Sequence, residues 1–444
     1  MVIGTILEII IFIIFMKLVF AAYYISVSKN KLIADKKEHY SLDRKINILI
    51  LIPVLREQSM IEATLNHFEG LSMENINLMI SIAGTSRELA GKAEGYISTG
   101  NVVNRWITNI ANRSKKNAHQ VEYCYCEVSE TEGDRATQLN YAVREAAKKF
   151  NPDIVGVYDA DSLPDAVTLT EVAGKYLKNP NAVFQQPVHF IDAANRMAKE
   201  KKNPVLVANA LYQTTWTVIR ELPRWTRHHE FAEKHKTKIF GRNDYLIGHG
   251  EFIPYTIYQQ YNFPEFEVTD GIQLGYRLSM SGVDICPLNV FCKDDVPQQV
   301  LQMIEQHKRW FGGCNRLMQA SVWCRENIGK TSLKQVVDGY WSQLSWAYAA
   351  VISFIGIVFS IVSLSQGNIM LPVLEIIFVL MYCYAVPYAA HRILPDHLQV
   401  RWIDWLCLPM AIGIKGIGPN LYLIQKAYTG LTRSNMKYFK VERG

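Results

Sequence analysis

An α/β domain with a mostly parallel sheet, set between membrane-spanning helices, is the fold class that this sequence predicts, and three observations predict it. Short apolar runs rich in Val and Ile alternate with helical stretches from Ile46 to Ala160. One run, Ile154-Val155-Gly156-Val157-Tyr158, stops at two carboxylates one residue apart, Asp159 and Asp161. Both ends of the chain are apolar over lengths above the roughly 20 residues that cross a bilayer.

The first of these ends is residues 3–27, broken only by Glu8 and Lys17. With no basic segment before it and no small-residue cleavage site, it reads as an uncleaved anchor over 1–28. Lys29, Lys31, Lys36 and Lys37 follow closely, so the positive-inside rule puts the next segment in the cytoplasm.

From Ile46 the expected order is strand (INILILIPVL), helix (Ser59 to Phe68), strand (INLMISIAG), helix (Ser86 to Tyr96), strand (VEYCYCEV at 121–128), helix (Ala136 to Phe150) and the strand that ends at Asp159. Ligands of open α/β sheets bind outside the carboxyl ends of the strands. If strand pairing persisted through Asp161, both acids would face one side of that end. Two hard oxygen donors there suit Mg²⁺ or Mn²⁺ held jointly with substrate phosphates. Taken alone, the same residues read rather as an Asp-rich turn after a strand, with Pro164 and Asp165.

Residues 192–245 carry eleven Lys/Arg against four Glu between Arg196 and Arg242, with Leu211, Tyr212, Trp216, Trp225 and Phe231 interleaved. A basic amphipathic segment resting on the membrane face is expected, against a solvated helix pair as the plainer reading. The region 316–444 turns apolar after Trp310. Spans are expected near 340–365 and 369–392, and 403–427 reads as a re-entrant or third span. A full crossing there would carry Lys426, Arg433, Lys437, Lys440 and Arg443 outside, against the positive-inside rule, so the re-entrant form is preferred.

Composition narrows the function. With 444 residues, 49% hydrophobic and 20% charged, the chain can bury a core of two or three domains and is not disordered. A net charge of +6 agrees with an anionic leaflet as neighbour, and it is too weak and dispersed for nucleic-acid binding. The eight cysteines, at 124, 126, 286, 292, 314, 324, 383 and 407, lack zinc spacing and read as reduced thiols of a cytosolic compartment.

Further stations lie in order around Asp159 and Asp161. Ile52-Pro53-Val54-Leu55-Arg56-Glu57 ends the first strand, and Arg135-Ala136-Thr137-Gln138-Leu139-Asn140 opens a helix. Downstream come Gly248-His249-Gly250-Glu251-Phe252, then Val268-Thr269-Asp270-Gly271, and last Gln306-His307-Lys308-Arg309-Trp310. On these residues, in this order, the chain resembles the membrane-bound inverting glycosyltransferases of family 2, the group of cellulose, chitin, hyaluronan and poly-N-acetylglucosamine synthases. The resemblance covers roughly residues 45–315, and its most specific piece is Q-x-x-R-W at Gln306, Arg309 and Trp310.

The resemblance implies a GT-A type nucleotide-sugar domain that faces the cytoplasm. Asp159 would contact the nucleotide and Asp161 the metal, with Arg135 near the phosphates and Pro53 and Glu57 in the donor site. Gln306, Arg309 and Trp310 would lie beside acceptor and diphosphate. The donor implied is a UDP-sugar with Mg²⁺ or Mn²⁺. The acceptor is a growing polysaccharide or a lipid-linked group, with membrane lipids as neighbours. Few membrane elements are available for a polysaccharide channel, so a partner subunit or homo-oligomer is an expected companion. The location implied is a cell membrane, multi-pass, with the bacterial inner membrane expected.

These residue types suit the chemistry. A hard cation and an Arg stabilise a departing diphosphate as charge develops. A carboxylate takes the proton of a poorly nucleophilic hydroxyl. Trp310 offers a flat apolar face to a sugar ring, and Arg309 a forked donor to oxygens.

Two departures from the family pattern stand out. The second strand ends Ile82-Ala83-Gly84-Thr85-Ser86, with no acid to select a nucleobase. The T-E-D motif reads Thr269-Asp270-Gly271, and counted from Leu274-Gly275-Tyr276-Arg277-Leu278 it leaves Gly271 in the base's place. Asp270 is therefore expected to be the base, with Glu267 behind it and Glu251 as another acceptor contact. These departures also motivate a rival reading, a catalytically degenerate scaffold or nucleotide-sensing subunit of a polysaccharide export complex.

Overall fold

A computed structural model describes residues 2–34, 40–90, 92–93, 95–113, 121–129, 134–235, 243–329 and 333–432. Lys36, Lys37, Arg433, Lys437, Lys440 and Arg443, which carried the orientation argument, lie outside these residues, as do 236–242 and the side chain of Glu8.

The chain opens with helix α1 (Val2–Ala34) and then builds a seven-stranded sheet. Its strands are β1 (Ile46–Pro53), β2 (Ile76–Thr85), β3 (Val121–Val128), β4 (Ile154–Val157), β5 (Ala182–Gln185), β7 (Glu251–Pro254) and β8 (Asp284–Pro287), in the order β3-β2-β1-β4-β7-β5-β8. All neighbours are parallel except β7, which runs antiparallel to both β4 and β5. A separate pair joins β6 (Val188–His189) to β9 (Cys292–Lys293).

The β1 run is unbroken in hydrophobicity because both faces of the sheet are covered. Ile48, Ile50 and Ile52 point to one side, where they pack with α2 (Ile61–Glu69), α3 (Thr99–Arg113), α5 (Ala166–Lys178), α6 (Ile191–Lys199) and α7 (Pro204–Trp216). Leu49 and Leu51 point to the other, against α4 (Arg135–Ala146), α8 (Leu222–His235), α9 (Tyr255–Tyr261) and α10 (Asp270–Ser281). The period of two along the strand thus divides one apolar run between two cores. The helices that follow β3 and β4 start at carboxylate caps: Asp134 accepts from Thr137 N and Asp165 from Thr168 N, both at 2.9 Å. Asp165 is therefore spent on a helix start.

The carboxy-terminal part is helical: α11 (Val300–Cys314), α12 (Leu317–Ile328), α13 (Leu333–Ala347), α14 (Ala349–Ser365), α15 (Met370–Phe378), a π-helical stretch Val379–Ala385, α16 (Val386–His391), α17 (Trp402–Leu406), α18 (Leu408–Lys415) and α19 (Ile417–Thr432).

Several expectations change. The stretch Ser86 to Tyr96 is not an α-helix: only a 3-10 turn, Ser86–Leu89, forms. Its Glu88 is buried and accepts from Thr99 N at 2.7 Å and Thr99 Oγ1 at 2.8 Å, so this acid caps α3. The helix itself, α3, was legible in Val103, Trp106, Ile107 and Ile110 at helical spacing and was not anticipated. The middle of 192–245 is not an amphipathic surface element either. Val205 to Thr215 are all buried and Trp225 is fully buried, so the residues read as a membrane-facing stripe pack inside the protein.

The expected span 340–365 is divided at Tyr348 between α13 and α14. Among the described residues one helical stretch, Met370–His391 of 22 residues, is long and apolar enough to cross a membrane, and Phe354–Ser365 is a shorter apolar one. Glu375 joins them by accepting from Ser360 Oγ. The stretch 403–427 is broken into α17, α18 and α19, with α18 lying on α7 and α19 on α11.

Candidate active site

At the carboxyl end of the parallel strands a cavity of about 530 Å³ opens, and its wall brings together the residues that the sequence singled out for donor or acceptor, Glu251 excepted. Pro53 and Glu57 follow β1, Asp159 and Asp161 follow β4, Arg135 starts α4, Asp270 starts α10, and Gln306, Arg309 and Trp310 come from α11.

The acids after β4 are set by backbone bonds. Tyr158 N donates to Leu51 O at 3.0 Å, the last tie to the sheet, and Ser162 N donates to Asp159 O at 3.0 Å. Thr64 Oγ1 on α2 donates to Ala160 O at 2.5 Å. Strand pairing therefore ends before Asp159, and a turn, not a continued strand, presents the two carboxylates. No group of three or more His, Cys, Asp or Glu converges on one point among the described residues. The chemistry of the donors still fits a divalent ion of the Mg²⁺ or Mn²⁺ type: Asp161 supplies a hard oxygen, and donor phosphates would complete the shell.

Arg135 ties the two halves of the site together. Its guanidinium donates to Asp159 Oδ1 at 3.0 Å, to Gly248 O at 2.6 Å and to Asp270 Oδ2 at 2.5 Å. Burial opposes its charge, and the facing carboxylates of Asp270, Asp159 and Glu251 overcome that and raise its pKa. The side chain keeps 29% of its exposure only because it faces the cavity. The Arg135 bond engages Asp270 through Oδ2 and not through Oδ1.

Glu251 is the group least accounted for by the sequence. It begins β7, paired with Val157 of β4 and Gln185 of β5, and is wholly buried. Burial first, and then the Asp270 carboxylate, push its pKa up to about 8. Neither oxygen meets a partner of bonding geometry among the described residues, although the Gly248 amide lies near enough to oppose the rise. It does not line the cavity, so the expected direct acceptor contact is not formed. Three carboxylates surround one guanidinium here, and a proton on Glu251 relieves the excess charge.

Glu267, the second candidate base, is occupied: it accepts from Arg316 at 2.9 Å and lies 3.8 Å from Arg277 Nη2. On α11, Gln306 is buried with Oε1 unpartnered, and Trp310 meets His307 edge-to-face at 5.4 Å. Burial, then nearby Lys415, holds the His307 imidazole down to about 3, so it is neutral. The helix is docked on the Thr269 turn through Gly313, because a Cβ there would run into Thr269 Oγ1. Gln273 Nε2 on α10 donates to Gly313 O at 3.0 Å and fixes the same contact.

Sequence reasoning missed several wall residues. Thr85 and Arg87 follow β2 where no acid was found, His249 Nε2 lies 3.4 Å from Asp294 Oδ2, and Tyr212, Trp216 and Lys415 form the far wall. Lys415 carried a signal as a lone cation in an apolar stretch, His249 lies in the Gly248–Phe252 station, and Tyr212 and Trp216 were read as part of a membrane-facing stripe.

The fold and this cavity define a class, the glycosyltransferases with a mostly parallel GT-A-like sheet. The profile of the glycosyl transferase family group 2 matches residues 154–390, more than half of the chain, and the chain belongs to that family. Among solved structures, the mannosyltransferase PcManGT of Pyrobaculum calidifontis, in complex with GDP-Man and Mn²⁺, is 15% identical over 87% of this chain and 98% of its own, with a TM-score of 0.44. TarS 1-349 of S. aureus is 9% identical over 86% of this chain and 92% of its own, with a TM-score of 0.39. No curated protein matches the chain in sequence.

Proposed function

We propose that the protein is a membrane-integrated inverting glycosyltransferase that moves a sugar from a UDP-sugar to a lipid-linked or growing polysaccharide acceptor in one displacement. The observation that carries this reading is Arg135, which bonds at once to Asp159 on the donor side and Asp270 on the acceptor side. The two carboxylates are thereby held at a fixed separation, as a reaction between two bound substrates requires.

In this mechanism the donor lies against Pro53, Glu57 and Asp159. A divalent ion held by Asp161 and the phosphates would supply charge stabilisation to the departing diphosphate. Asp270 takes the acceptor hydroxyl proton on Oδ1 while Arg135 keeps Oδ2 in place. Gln306 and Arg309 orient oxygens, and the Trp310 ring packs on a sugar face. The attacking oxygen enters opposite the leaving group, so the configuration inverts.

Membrane integration is supported by apolar surface that no other part of the described residues covers. Phe354, Ile361 and Ile376 are 67%, 62% and 58% exposed on α14 and α15, and Phe12 and Phe15 are exposed on α1. The catalytic domain then faces the cytoplasm and the remaining helices hold it at the membrane, with a bacterial inner membrane as the proposed setting.

The degenerate-scaffold reading has one observation in its favour: Asp270 is already engaged by Arg135. Replacing Asp161 and Asp270 separately by Asn in the purified full chain separates the two. A transferase loses 10²- to 10⁴-fold in transfer from a matched donor, about the worth of a positioned base. A scaffold shows no donor turnover to lose, with or without Mn²⁺. Sizing of the products distinguishes polymer from single addition.

A further inference from the structure

The far wall of the cavity carries charge that glycosyl transfer at the Asp159 end does not use. Lys415 closes α18 and is only 7% exposed. Its ammonium donates to the Tyr212 hydroxyl and lies 4.0 Å from the centre of the Tyr212 ring and 4.6 Å from that of Trp216. Arg220 covers the Trp216 ring at 5.6 Å and is within electrostatic reach of both Lys415 and Lys17. Neither Lys415 nor Arg220 pairs with an acid among the described residues.

Beside them Gln213, on the same helix as Tyr212, is 7% exposed, and its amide Nε2 has no partner among the described residues. Burial, and then Arg220, lower the Lys415 pKa to about 7, so holding the ammonium here is costly and the ring contacts offset only part of that cost, whereas an anion beside it restores the charged form. An unpaired amide donor adds to it. Lys415, Gln213, Tyr212 and Trp216 all line the cavity, so a ligand can reach them. The missing partner is an anion.

The place says what kind of anion. His391, the last residue of the membrane-length stretch Met370–His391, donates from Nε2 to Leu211 O at 3.1 Å, one residue before Tyr212. The α18 helix that carries Lys415 packs on α14 and on the π-helical part of that stretch. A group bound at Lys415 therefore sits where the apolar helices meet the cavity, with its other end free to extend along them.

We propose that Lys415, Gln213 and the Tyr212–Trp216 rings form a binding site for a phosphate group carried on a lipid, and that this lipid phosphate is the acceptor substrate. The inference rests on the glycosyl-transfer reading for the word acceptor, and on the cavity alone for the site. The lipid tail leaves along α14 and Met370–His391. A phosphate oxygen forms the bond to the sugar's anomeric carbon as the bond from that carbon to the UDP oxygen breaks. UDP departs, and any proton on the attacking oxygen passes to Asp270.

The test uses the purified full chain in neutral detergent and follows tryptophan fluorescence with four probes: a polyprenyl phosphate, the polyprenol of equal length, inorganic phosphate and phosphatidylglycerol. The polyprenyl phosphate is expected to bind at least tenfold more tightly than each of the others. Lys415→Met is expected to abolish that preference while leaving UDP–Mn²⁺ affinity within twofold. Equal binding of polyprenol and polyprenyl phosphate by the wild type overturns the proposal without any variant. So does equal binding of inorganic phosphate or phosphatidylglycerol, which would make the site a free-phosphate or general headgroup site. Unchanged lipid binding in Lys415→Met also overturns it, as does an equal loss of UDP affinity, which would assign Lys415 to the donor end. If Lys415→Met does not fold, Gln213→Leu replaces it with the same expectations. Failure of the glycosyl-transfer reading looks different: UDP-sugar binding and turnover are lost while the lipid preference stands.

Discussion

The Glu251 carboxyl stands behind Gly271, close enough that a Cβ on Gly271 would meet its Oε2 at 3.1 Å and the Gly248 backbone N at 2.5 Å. The position where the family pattern places its base is closed by neighbours, and a side chain there would displace the Gly248 loop or the carboxyl. Under the proposed function the base is therefore Asp270, with the buried Glu251 beside it.

Stability should report the Glu251 proton. The folded carboxyl titrates at about 8 and the unfolded one near 4.5, so the folded chain binds more protons between those values. Stability from this group is therefore full below pH 4.5 and declines as pH rises toward 8. Glu251→Gln should match the wild type in unfolding free energy near pH 5 and exceed it at pH 8.5, by an amount on the order of a few kcal/mol. Parallel curves for the two proteins would mean that the carboxyl is ionised in the fold.

Arg135→Lys keeps the charge but cannot serve Asp159, Asp270 and Gly248 O at once, since an ammonium has no planar fork. We expect kcat/KM to fall roughly 10- to 100-fold, the worth of one or two charge-assisted bonds. Steady-state kinetics on a matched donor–acceptor pair check this, and a neutral result would remove Arg135 from the coupling role.

Gly313→Ala puts a methyl against Thr269 Oγ1 and Cγ2, the contact that seats α11 on the Asp270 turn. Overpacking of this kind costs about 1–3 kcal/mol. The variant should lose stability and transfer together, and Thr269→Ala in the same chain should recover part of both. Thermal denaturation and transfer assays on the single and double variants decide it.

Chelation should separate metal from fold. With no cluster of three ligands among the described residues, EDTA is expected to stop transfer and weaken UDP binding while leaving Tm unchanged to within about a degree. Mn²⁺ should restore both. A large fall in Tm on chelation would reveal a structural ion.

Trp310→Ala should spare UDP–Mn²⁺ binding and lower turnover, because the ring belongs to the acceptor side. Isothermal titration with UDP alongside product analysis tests the division. Loss of UDP affinity would move Trp310 to the donor side.

Much of the fold was legible because its signals are local. The apolar runs of β1, β2 and β3 and the helical period before Asp159 follow from side-chain spacing over a few residues. Helix α3 carried the same kind of signal at Val103, Trp106, Ile107 and Ile110 but was displaced by a helix expected over Ser86 to Tyr96. The buried state of α7 could not be read. Its basic neighbours suggested a surface, whereas packing by α16, α17 and α18, distant in sequence, decides what covers it.

The sequence by itself determined the order of stations, their residue types and the apolar flanks, because each is a property of short stretches of chain. Tertiary structure alone decided how they meet. It brought Arg135 within bonding distance of both Asp159 and Asp270, paired Glu267 with Arg277 and Arg316, and buried Glu251 behind Gly271. It also folded Lys415 back over Tyr212, 203 residues away. Charges respond to their surroundings in space, and those surroundings come from elements far apart along the chain.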